Sequence, residues 1–246
     1  MRRSQSREQA RRIAGSVQTA AGEGRPVDRC AGSRSLRLSL SFCLAAACAA
    51  ACAQQPKRIG YEEARAMFQR QGVQPGERLP ELSLVTLDGG RAALEGTYGG
   101  RPIVLVTASL TCNVARRRQA ELDQLAARFG EAVAVVVIYT IDAHPAVDAC
   151  PYTGEEWVPA DNERDAVLIR QPRTLDERIA AARDYRDRFT ADATVLVDTM
   201  DNRSWTALGS SPNVGLVIDA EGVVRSRQGW FDAAETSAAL DALLAR

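Results

Sequence analysis

The chain changes from a strand pattern to a helix pattern within residues 102–118, which read PIVLVTASLTCNVARRR. Ile103–Val106 is an apolar, β-branched run that is typical of a strand buried on both faces. From Val114 to Phe129 the apolar residues recur at helical spacing, with charged residues on the opposite face. Val133–Ile141 then predicts a second buried strand. A strand, a helix and a strand in this order favour parallel pairing.

The rest of the chain predicts elements that complete a sheet and cover it. Asp142–Gln171 contains several prolines and predicts a long, irregular insertion, which in a compact domain usually has a function. Thr174 and Glu177 have the spacing of a capping box at a helix start. The other predictions are helices at Tyr61–Gln71, 174–189, Ser204–Leu208 and Ala233–Leu244 (capped by Asp232), strands at Leu82–Leu87 and Val195–Val197, and a hairpin of Val214–Ile218 with Val223–Arg225. The order predicts an α/β fold, a three-layer sandwich with a mixed central β-sheet.

The first 53 residues differ in composition from the rest. Residues 1–37 contain nine arginines and three acidic residues, whereas residues 38–53, LSLSFCLAAACAAACA, contain no charge. A basic region, a short apolar run and small residues before Gln54 are typical of a secretory signal peptide cleaved after Ala53. An uncleaved anchor helix and a lipoprotein signal modified at Cys48 or Cys52 are the alternatives. We therefore predict a cleaved or disordered leader (1–53), a helical extension (54–74) and a main domain (75–246).

The remaining 54–246 segment has its own charge and cysteine content. It contains 22 basic and 28 acidic residues, a net charge of −6, although the whole chain has 31 of each. Four of the six cysteines fall in the leader, which leaves Cys112 and Cys150. These numbers argue against a basic nucleic-acid binder and against a small disulfide framework. Because His144 is the only histidine, a His-rich metal centre is excluded.

Cys112 lies where the predicted strand ends and the predicted helix begins. A thiol at a helix N-terminus faces unpaired N–H groups and the positive end of the helix dipole, and both favour the thiolate. The adjacent run 116–118 of three arginines adds positive potential. We therefore predict a redox-active Cys112 with a lowered pKa; the alternative is a buried, inert cysteine.

Asp142 and His144 follow the second core strand, and Cys150 lies in the insertion. Because carboxyl ends of parallel strands meet at one edge, we expect His144 near Cys112, where it would lower the thiol pKa or transfer a proton. An ordinary polar loop residue is the alternative. Asp142 would orient His144 or cap the strand end. Cys150 has three interpretations: a resolving thiol, a structural disulfide partner, or an unrelated cysteine.

Several separated motifs resemble known proteins. The chain resembles the thioredoxin superfamily over most of residues 75–246 and, within it, the iodothyronine deiodinase family. The motifs are Ser109-Leu110-Thr111-Cys112, which is similar to the family's Ser-x-Thr-selenocysteine, Tyr139-Thr140-Ile141-Asp142-Ala143-His144, the helix start Leu175-Asp176-Glu177-Arg178, and Val197-Asp198-Thr199-Met200-Asp201-Asn202. The resemblance implies a thioredoxin-like fold.

The resemblance also implies roles for individual residues. Cys112 occupies the selenocysteine position, Asp142 and His144 occupy the acidic and histidine positions, and Pro212 occupies the cis-proline position beside the thiol. This chain departs from the family in three ways: sulfur replaces selenium, Asn113 stands where proline is usual, and residues 171–173 lack the family's histidine. These departures favour a thiol-based reductase or peroxidase over thyroid-hormone deiodination.

Together these observations predict a thiol oxidoreductase that acts on a small peroxide, disulfide or halogenated molecule. The leader pattern predicts that it is exported to the periplasm. The expected catalytic group is Cys112, Thr111, Asp142 and His144, with Ser109 and Pro212 on the substrate-side loop. Cys150 or an external thiol, either a thioredoxin-like protein or a small molecule, would restore the enzyme. We expect no cofactor, metal or nucleic acid, and membrane contact only through an N-terminal anchor. The alternative is a non-enzymatic, copper-handling or assembly module on the same fold.

Overall fold

The computed structural model describes residues 60–94, 100–190 and 192–245. The predicted leader, with its signal sequence and cleavage site, lies outside these residues. The proposed boundary between the extension and the main domain at residue 74 stays a prediction. Within the described ranges, no helix combines the length and apolarity needed to cross a membrane.

The described residues form seven strands and six α-helices, in nearly the predicted order. The strands are β1 (Leu84–Val85), β2 (Arg91–Ala92), β3 (Ile103–Ala108), β4 (Ala134–Tyr139), β5 (Thr194–Asp198), β6 (Gly215–Ile218) and β7 (Val224–Gln228). The helices are α1 (Tyr61–Gln69), α2 (Asn113–Phe129), α3 (Ala160–Arg164), α4 (Leu175–Phe189), α5 (Arg203–Ala207) and α6 (Ala233–Leu244), with a 3-10 turn at Gly130–Ala132.

The strands form one mixed sheet in the order β2-β1-β5-β4-β3-β6-β7. The central strands β3, β4 and β5 are parallel, whereas β6, β7, β1 and β2 join by antiparallel pairing. Ala108 pairs with Tyr139, the last residues of β3 and β4. The loops that carry Cys112 and His144 therefore leave the sheet side by side. The prediction of a mixed sheet with a closing hairpin is confirmed.

Apolar side chains cover both faces of the sheet, as expected for a sandwich. Because side chains alternate along a strand, Val104 and Val106 face one core cluster and Leu105 faces the other. The first cluster includes side chains from α2, α4 and α6, among them Leu122, Ile179 and Leu240. The second includes residues before β1 and after α5, among them Val73, Leu82 and Leu208.

Two local predictions differ from the structure. The first predicted strand, 82–87, is reduced to Leu84–Val85, because a turn begins at Thr86, whose N–H donates to Gly90 O at 2.8 Å. The insertion is not wholly irregular, because it contains α3. The capping box at Thr174 is confirmed, since both of its reciprocal hydrogen bonds form.

The chain before β1 packs closely against the end of the sheet. Arg227 Nη2 donates to Phe68 O at 2.9 Å and to Leu208 O at 3.1 Å, so one side chain joins α1 to the end of α5. Gly72 and Gly209 lie back to back, both with positive φ (75° and 94°). This close approach holds α1 on the domain.

Candidate active site

The loop that connects β3 to α2 is held by side chains from several elements. We call residues 109–112 the nucleophile loop. The hydroxyl of Tyr139 accepts a hydrogen bond from Leu110 N at 3.1 Å, and the carboxylate of Asp142 accepts one from Thr111 N at 3.0 Å. Cys112 N donates to Ser109 O at 3.1 Å and closes the loop as a turn. The backbone that presents Cys112 is therefore fixed by β4 and the loop after it.

Cys112 is the N-cap of α2, as the sequence predicts, but its protonation state is the reverse of the prediction. Its Sγ accepts a hydrogen bond from Ala115 N at 3.4 Å, and only 1% of the residue is exposed. Burial raises the pKa of Cys112 to about 11. The N–H groups of Ala115 and Val114 and the charge of Arg116 lower the pKa, but burial outweighs them. The prediction that the pKa of Cys112 is lowered is therefore wrong, because burial raises it.

Asp142 is fully buried and binds the nucleophile loop through Thr111. Its Oδ1 accepts from Thr111 N and, at 2.9 Å, from Thr111 Oγ1, while its Oδ2 accepts from the Tyr139 hydroxyl at 2.8 Å. Burial raises the pKa of Asp142, and the three donors oppose this shift. Asp142 therefore acts on the nucleophile loop, whereas the sequence predicted that it would orient His144 or cap the strand.

His144 lies next to the same loop, as predicted from the parallel strands. Its backbone N–H donates to Thr111 Oγ1 at 3.0 Å, and the N–H of Ala143 donates to Ser109 Oγ at 3.2 Å. The His144 ring packs edge-on against Trp157, with the ring centroids 4.5 Å apart. Thr111 thus links Asp142 to the backbone of His144. The structure brings Ser109, Thr111, Cys112, Asp142 and His144 into one connected group.

Cys150 is buried in the insertion and, like Cys112, is a free thiol. Its Sγ accepts a hydrogen bond from Tyr152 N at 3.4 Å. Burial raises the pKa of Tyr152, and Cys112 and Cys150 both add to the shift. The two cysteines form no structural disulfide in this structure. The predicted resolving role of Cys150 stays a prediction.

The loop around Pro212 is tied to the strand that leads to Cys112. Thr107 Oγ1 donates to Ser211 O at 3.2 Å, and Asn213 Nδ2 donates to Thr107 O at 3.0 Å. No peptide bond among the described residues is cis, so Pro212 follows a trans bond. The resemblance implied a cis-proline at this position, and the structure differs from it there.

Four further residues hold this site; sequence reasoning missed three of them and gave the fourth, Arg116, only as one of three arginines that add positive potential. Tyr139, Arg116, Asn162 and Gln171 each hydrogen-bond to the nucleophile loop or to the backbone of Asp142. Tyr139 had a usable signal, because a hydroxyl at the last position of a buried strand needs a polar partner. Arg116 lies on the buried face of α2 together with Ala115 and Gln119. Asn162 and Gln171 carry no local signal.

The described residues contain no group of three or more His, Cys, Asp or Glu side chains that could hold a metal ion. A shallow groove of about 520 Å³ lies beside the nucleophile loop, between Leu110, the 169–173 segment and α4. A larger cavity of about 850 Å³ lies at the opposite end of β3, around Ile103. Of these two, the groove is the one lined by a residue of the nucleophile loop, Leu110.

Comparison with known proteins assigns the family. The iodothyronine deiodinase pattern matches residues 39–232, well over half of the chain. The chain belongs to the iodothyronine deiodinase family. It is similar to thyroxine 5-deiodinase of Homo sapiens, with 31% identity over 137 residues that cover 55% of this chain and 41% of the human protein. With the Gallus gallus protein of the same name, identity is 30% over 151 residues, which cover 61% and 54% of the two chains. This family member therefore spans about half, or less, of the length of these relatives.

Solved structures are similar to this chain at low identity. A hypothetical protein from Sinorhizobium meliloti matches 71% of this chain and 86% of its own, with 16% identity and a TM-score of 0.50. A secreted disulfide oxidoreductase from Mycobacterium tuberculosis matches 67% of this chain and 96% of its own, with 16% identity and a TM-score of 0.43. The thioredoxin-like α/β fold predicted from the sequence is confirmed.

Proposed function

We propose that this family member is a thiol-dependent oxidoreductase in which Cys112 is the nucleophile. One observation carries the proposal: the Cys112 sulfur lies at the first turn of α2, where it accepts a hydrogen bond from Ala115 N. The same N–H that binds the thiol would stabilise the thiolate once it forms. Cys112 also occupies the position that the family gives to selenocysteine.

The reaction begins with loss of the thiol proton, which the burial of Cys112 opposes. The sulfur then attacks an electrophilic atom of the substrate. A peroxide ROOH gives Cys112 sulfenic acid and ROH, as the O–O bond breaks. A disulfide gives a mixed disulfide and one free thiol. A halogenated compound R–I gives Cys112 sulfenyl iodide and R–H, with the proton going to carbon.

Reduction of the oxidised sulfur completes the cycle. An external thiol attacks the Cys112 sulfenic acid, water leaves, and a second thiol then releases Cys112 with formation of an external disulfide. We propose a thioredoxin-like protein or a small thiol as this reductant. In the alternative route Cys150 attacks the oxidised Cys112 and forms an internal disulfide, which the external thiol then reduces. His144 would transfer the proton to the leaving group.

The reaction is tested with Cys112→Ser and Cys150→Ser, assayed with hydrogen peroxide, a small disulfide and an iodinated phenol, each with dithiothreitol as reductant. Cys112→Ser is expected to reduce turnover of every substrate to the uncatalysed rate. Cys150→Ser is expected to keep turnover, because dithiothreitol replaces the resolving thiol. Undiminished turnover in Cys112→Ser would contradict the proposal.

We also propose that the protein is exported, on the basis of the basic and apolar leader in residues 1–53. Mass spectrometry of the N-terminus after expression in a bacterial host tests this. A chain that begins at Gln54 is expected. An intact Met1 in the cytosolic fraction would contradict export.

A further inference from the structure

Arg116 is the buried member of the three consecutive arginines at the start of α2. It is 8% exposed, whereas the side chain of Arg117 is 64% exposed. The Arg116 guanidinium donates from Nη1 to Leu110 O at 2.7 Å, so it binds the nucleophile loop directly. From Nη2 it donates to Asn162 Oδ1 at 3.0 Å and to Asp165 Oδ2 at 3.1 Å. One side chain therefore joins the nucleophile loop to α3 and the residue after it.

Asn162 completes this connection from the other side. It is fully buried on α3, and its Nδ2 donates to Thr111 O at 2.9 Å. Its Oδ1 accepts a hydrogen bond from Arg116, so the amide group of Asn162 binds Arg116 and the nucleophile loop at once. Arg116 and Asn162 together bind two consecutive carbonyl oxygens immediately before Cys112. We call this pair the carbonyl clamp.

Other side chains bind the N–H groups of the same two residues whose carbonyl groups the carbonyl clamp binds. The N–H groups of Leu110 and Thr111 donate to Tyr139 and Asp142, and their carbonyl groups accept from Arg116 and Asn162. Both polar groups of each residue thus have a side-chain partner. Such contacts leave little freedom for the backbone that orients the sulfur, and misplacement of a reacting atom by about 1 Å costs on the order of 100-fold in rate.

We propose that Arg116 and Asn162 are positioning residues, which set the orientation of Cys112 and attach the 142–171 insertion to the nucleophile loop. The proposal rests on the proposed function of Cys112. Neither residue touches the reacting sulfur in a described hydrogen bond, so each acts through the loop. The Arg116 charge also favours the thiolate, because it opposes the effect of burial on the pKa of Cys112.

Four variants of the full chain separate the effect of the Arg116 charge from the effects of the Arg116 and Asn162 hydrogen bonds. Arg116→Met removes the charge and every donor. Arg116→Lys keeps the charge but cannot reach Leu110 O and α3 with a planar fork. Asn162→Asp keeps an acceptor for Arg116 but removes the donor to Thr111 O. Arg117→Met is the matched control, because it removes the neighbouring exposed charge and its ion pair with Asp161 (3.5 Å) but none of the hydrogen bonds of the carbonyl clamp.

Three measurements are made on each variant: hydrogen exchange of peptides that cover 109–112 and 160–167, the pH dependence of Cys112 alkylation followed on its own peptide, and kcat and KM. We expect faster exchange in both segments for Arg116→Met, Arg116→Lys and Asn162→Asp. We expect kcat to fall on the order of 10- to 100-fold with a smaller change in KM. The alkylation midpoint should rise in Arg116→Met and stay near the wild-type value in Arg116→Lys. Arg117→Met should match wild type in the exchange of 109–112, in the alkylation midpoint and in kcat.

Two outcomes would overturn the proposal. In the first, Arg116→Lys and Asn162→Asp exchange as wild type and keep wild-type kcat. In the second, Arg117→Met has the same effect as Arg116→Met. Circular dichroism identifies a variant that fails to fold. If Arg116→Met fails to fold, Arg116→Lys and Asn162→Asp test the proposal. Failure of the proposed function is distinguishable, because it appears as full turnover in Cys112→Ser, whereas exchange and alkylation test the carbonyl clamp without any turnover.

Discussion

At Cys112 a helix N-terminus and burial act in opposite directions on one thiol. Two backbone N–H groups and Arg116 stabilise the thiolate, but removal of the sulfur from water costs more. The result is a neutral thiol whose helix contacts would also stabilise the thiolate.

Alkylation of Cys112 by iodoacetamide is expected to be slow at pH 7–8 and to rise toward a midpoint of about 11, because burial raises the pKa to that value. The measurement is the rate for the Cys112 peptide across pH 7 to pH 11. Arg117→Met is the control: it removes an exposed charge of α2 and should give the same pH profile as wild type. A midpoint below that of an ordinary thiol would show that Cys112 is exposed and ionised in the resting protein.

The same shift predicts a loss of stability at alkaline pH. The pKa of an ordinary cysteine thiol is 9.0, and that of Cys112 in the folded protein is about 11. The contribution of this pKa shift to the free energy of unfolding is therefore fully present below pH 9 and is lost as the pH rises through about 11. Its size is roughly 3 kcal/mol. Urea unfolding of wild type and Cys112→Ala at several pH values measures it, because the difference between the two should shrink in this window. A constant difference would contradict the shift.

Two buried tyrosines offer a matched pair of substitutions. Tyr139 bonds to Leu110 and Asp142, whereas Tyr185 donates to Gln119 Oε1 at 2.7 Å, and the two rings are 6.1 Å apart. Each Tyr→Phe change should cost about 1–3 kcal/mol of unfolding free energy in urea titrations. Only Tyr139→Phe should also reduce kcat, because it frees the nucleophile loop. An equal loss of kcat in Tyr185→Phe would mean that core stability, and not the loop, controls turnover.

At the scale of one element, α4 shows how local sequence sets a helix start. Thr174 Oγ1 accepts from Glu177 N at 3.2 Å, and Glu177 Oε2 accepts from Thr174 N at 3.3 Å. Thr174→Ala should lower the free energy of unfolding by about 1 kcal/mol and leave kcat unchanged, because these atoms do not bind the nucleophile loop. Glu177→Gln is the control, since glutamine keeps the reciprocal bond. A larger loss in the control would contradict the capping box.

At the scale of the whole molecule, the contact between Gly72 and Gly209 holds the segment after α1 against the segment after α5. A Cβ on Gly72 would collide with the backbone of Gly209, and one on Gly209 would lie 2.5 Å from Gln71 O. Gly72→Ala should therefore destabilise the fold by more than about 4 kcal/mol in urea unfolding. Gly76→Ala is the control, because its φ is also positive (91°) but nothing lies within 4 Å; it should cost only about 1 kcal/mol. Equal losses would show that φ strain alone matters.

Local patterns predicted most of the fold. The continuous apolar runs of β3 and β4, the capping residues Thr174 and Asp232, and the closing hairpin each depend on residues close together in sequence. The exceptions are short elements: β1 lost residues to the turn at Thr86, and α3 formed inside the insertion. Short elements depend on contacts from the rest of the fold, which a local pattern does not contain.

The sequence by itself determined the order of the elements and the place of Cys112 at a strand–helix junction, since periodicity and capping act over a few residues. The nearness of His144 to the loop of Cys112 was also predicted, because adjacent parallel strands end at one edge; the contact of Asp142 with Thr111 was not. Only the tertiary structure decided the protonation state of Cys112 and the partners of Arg116. Burial depends on every element packed around the thiol, and Asn162 reaches Arg116 across 46 positions of chain. Desolvation and long-range hydrogen bonds therefore decided the chemistry of a site that local sequence had placed.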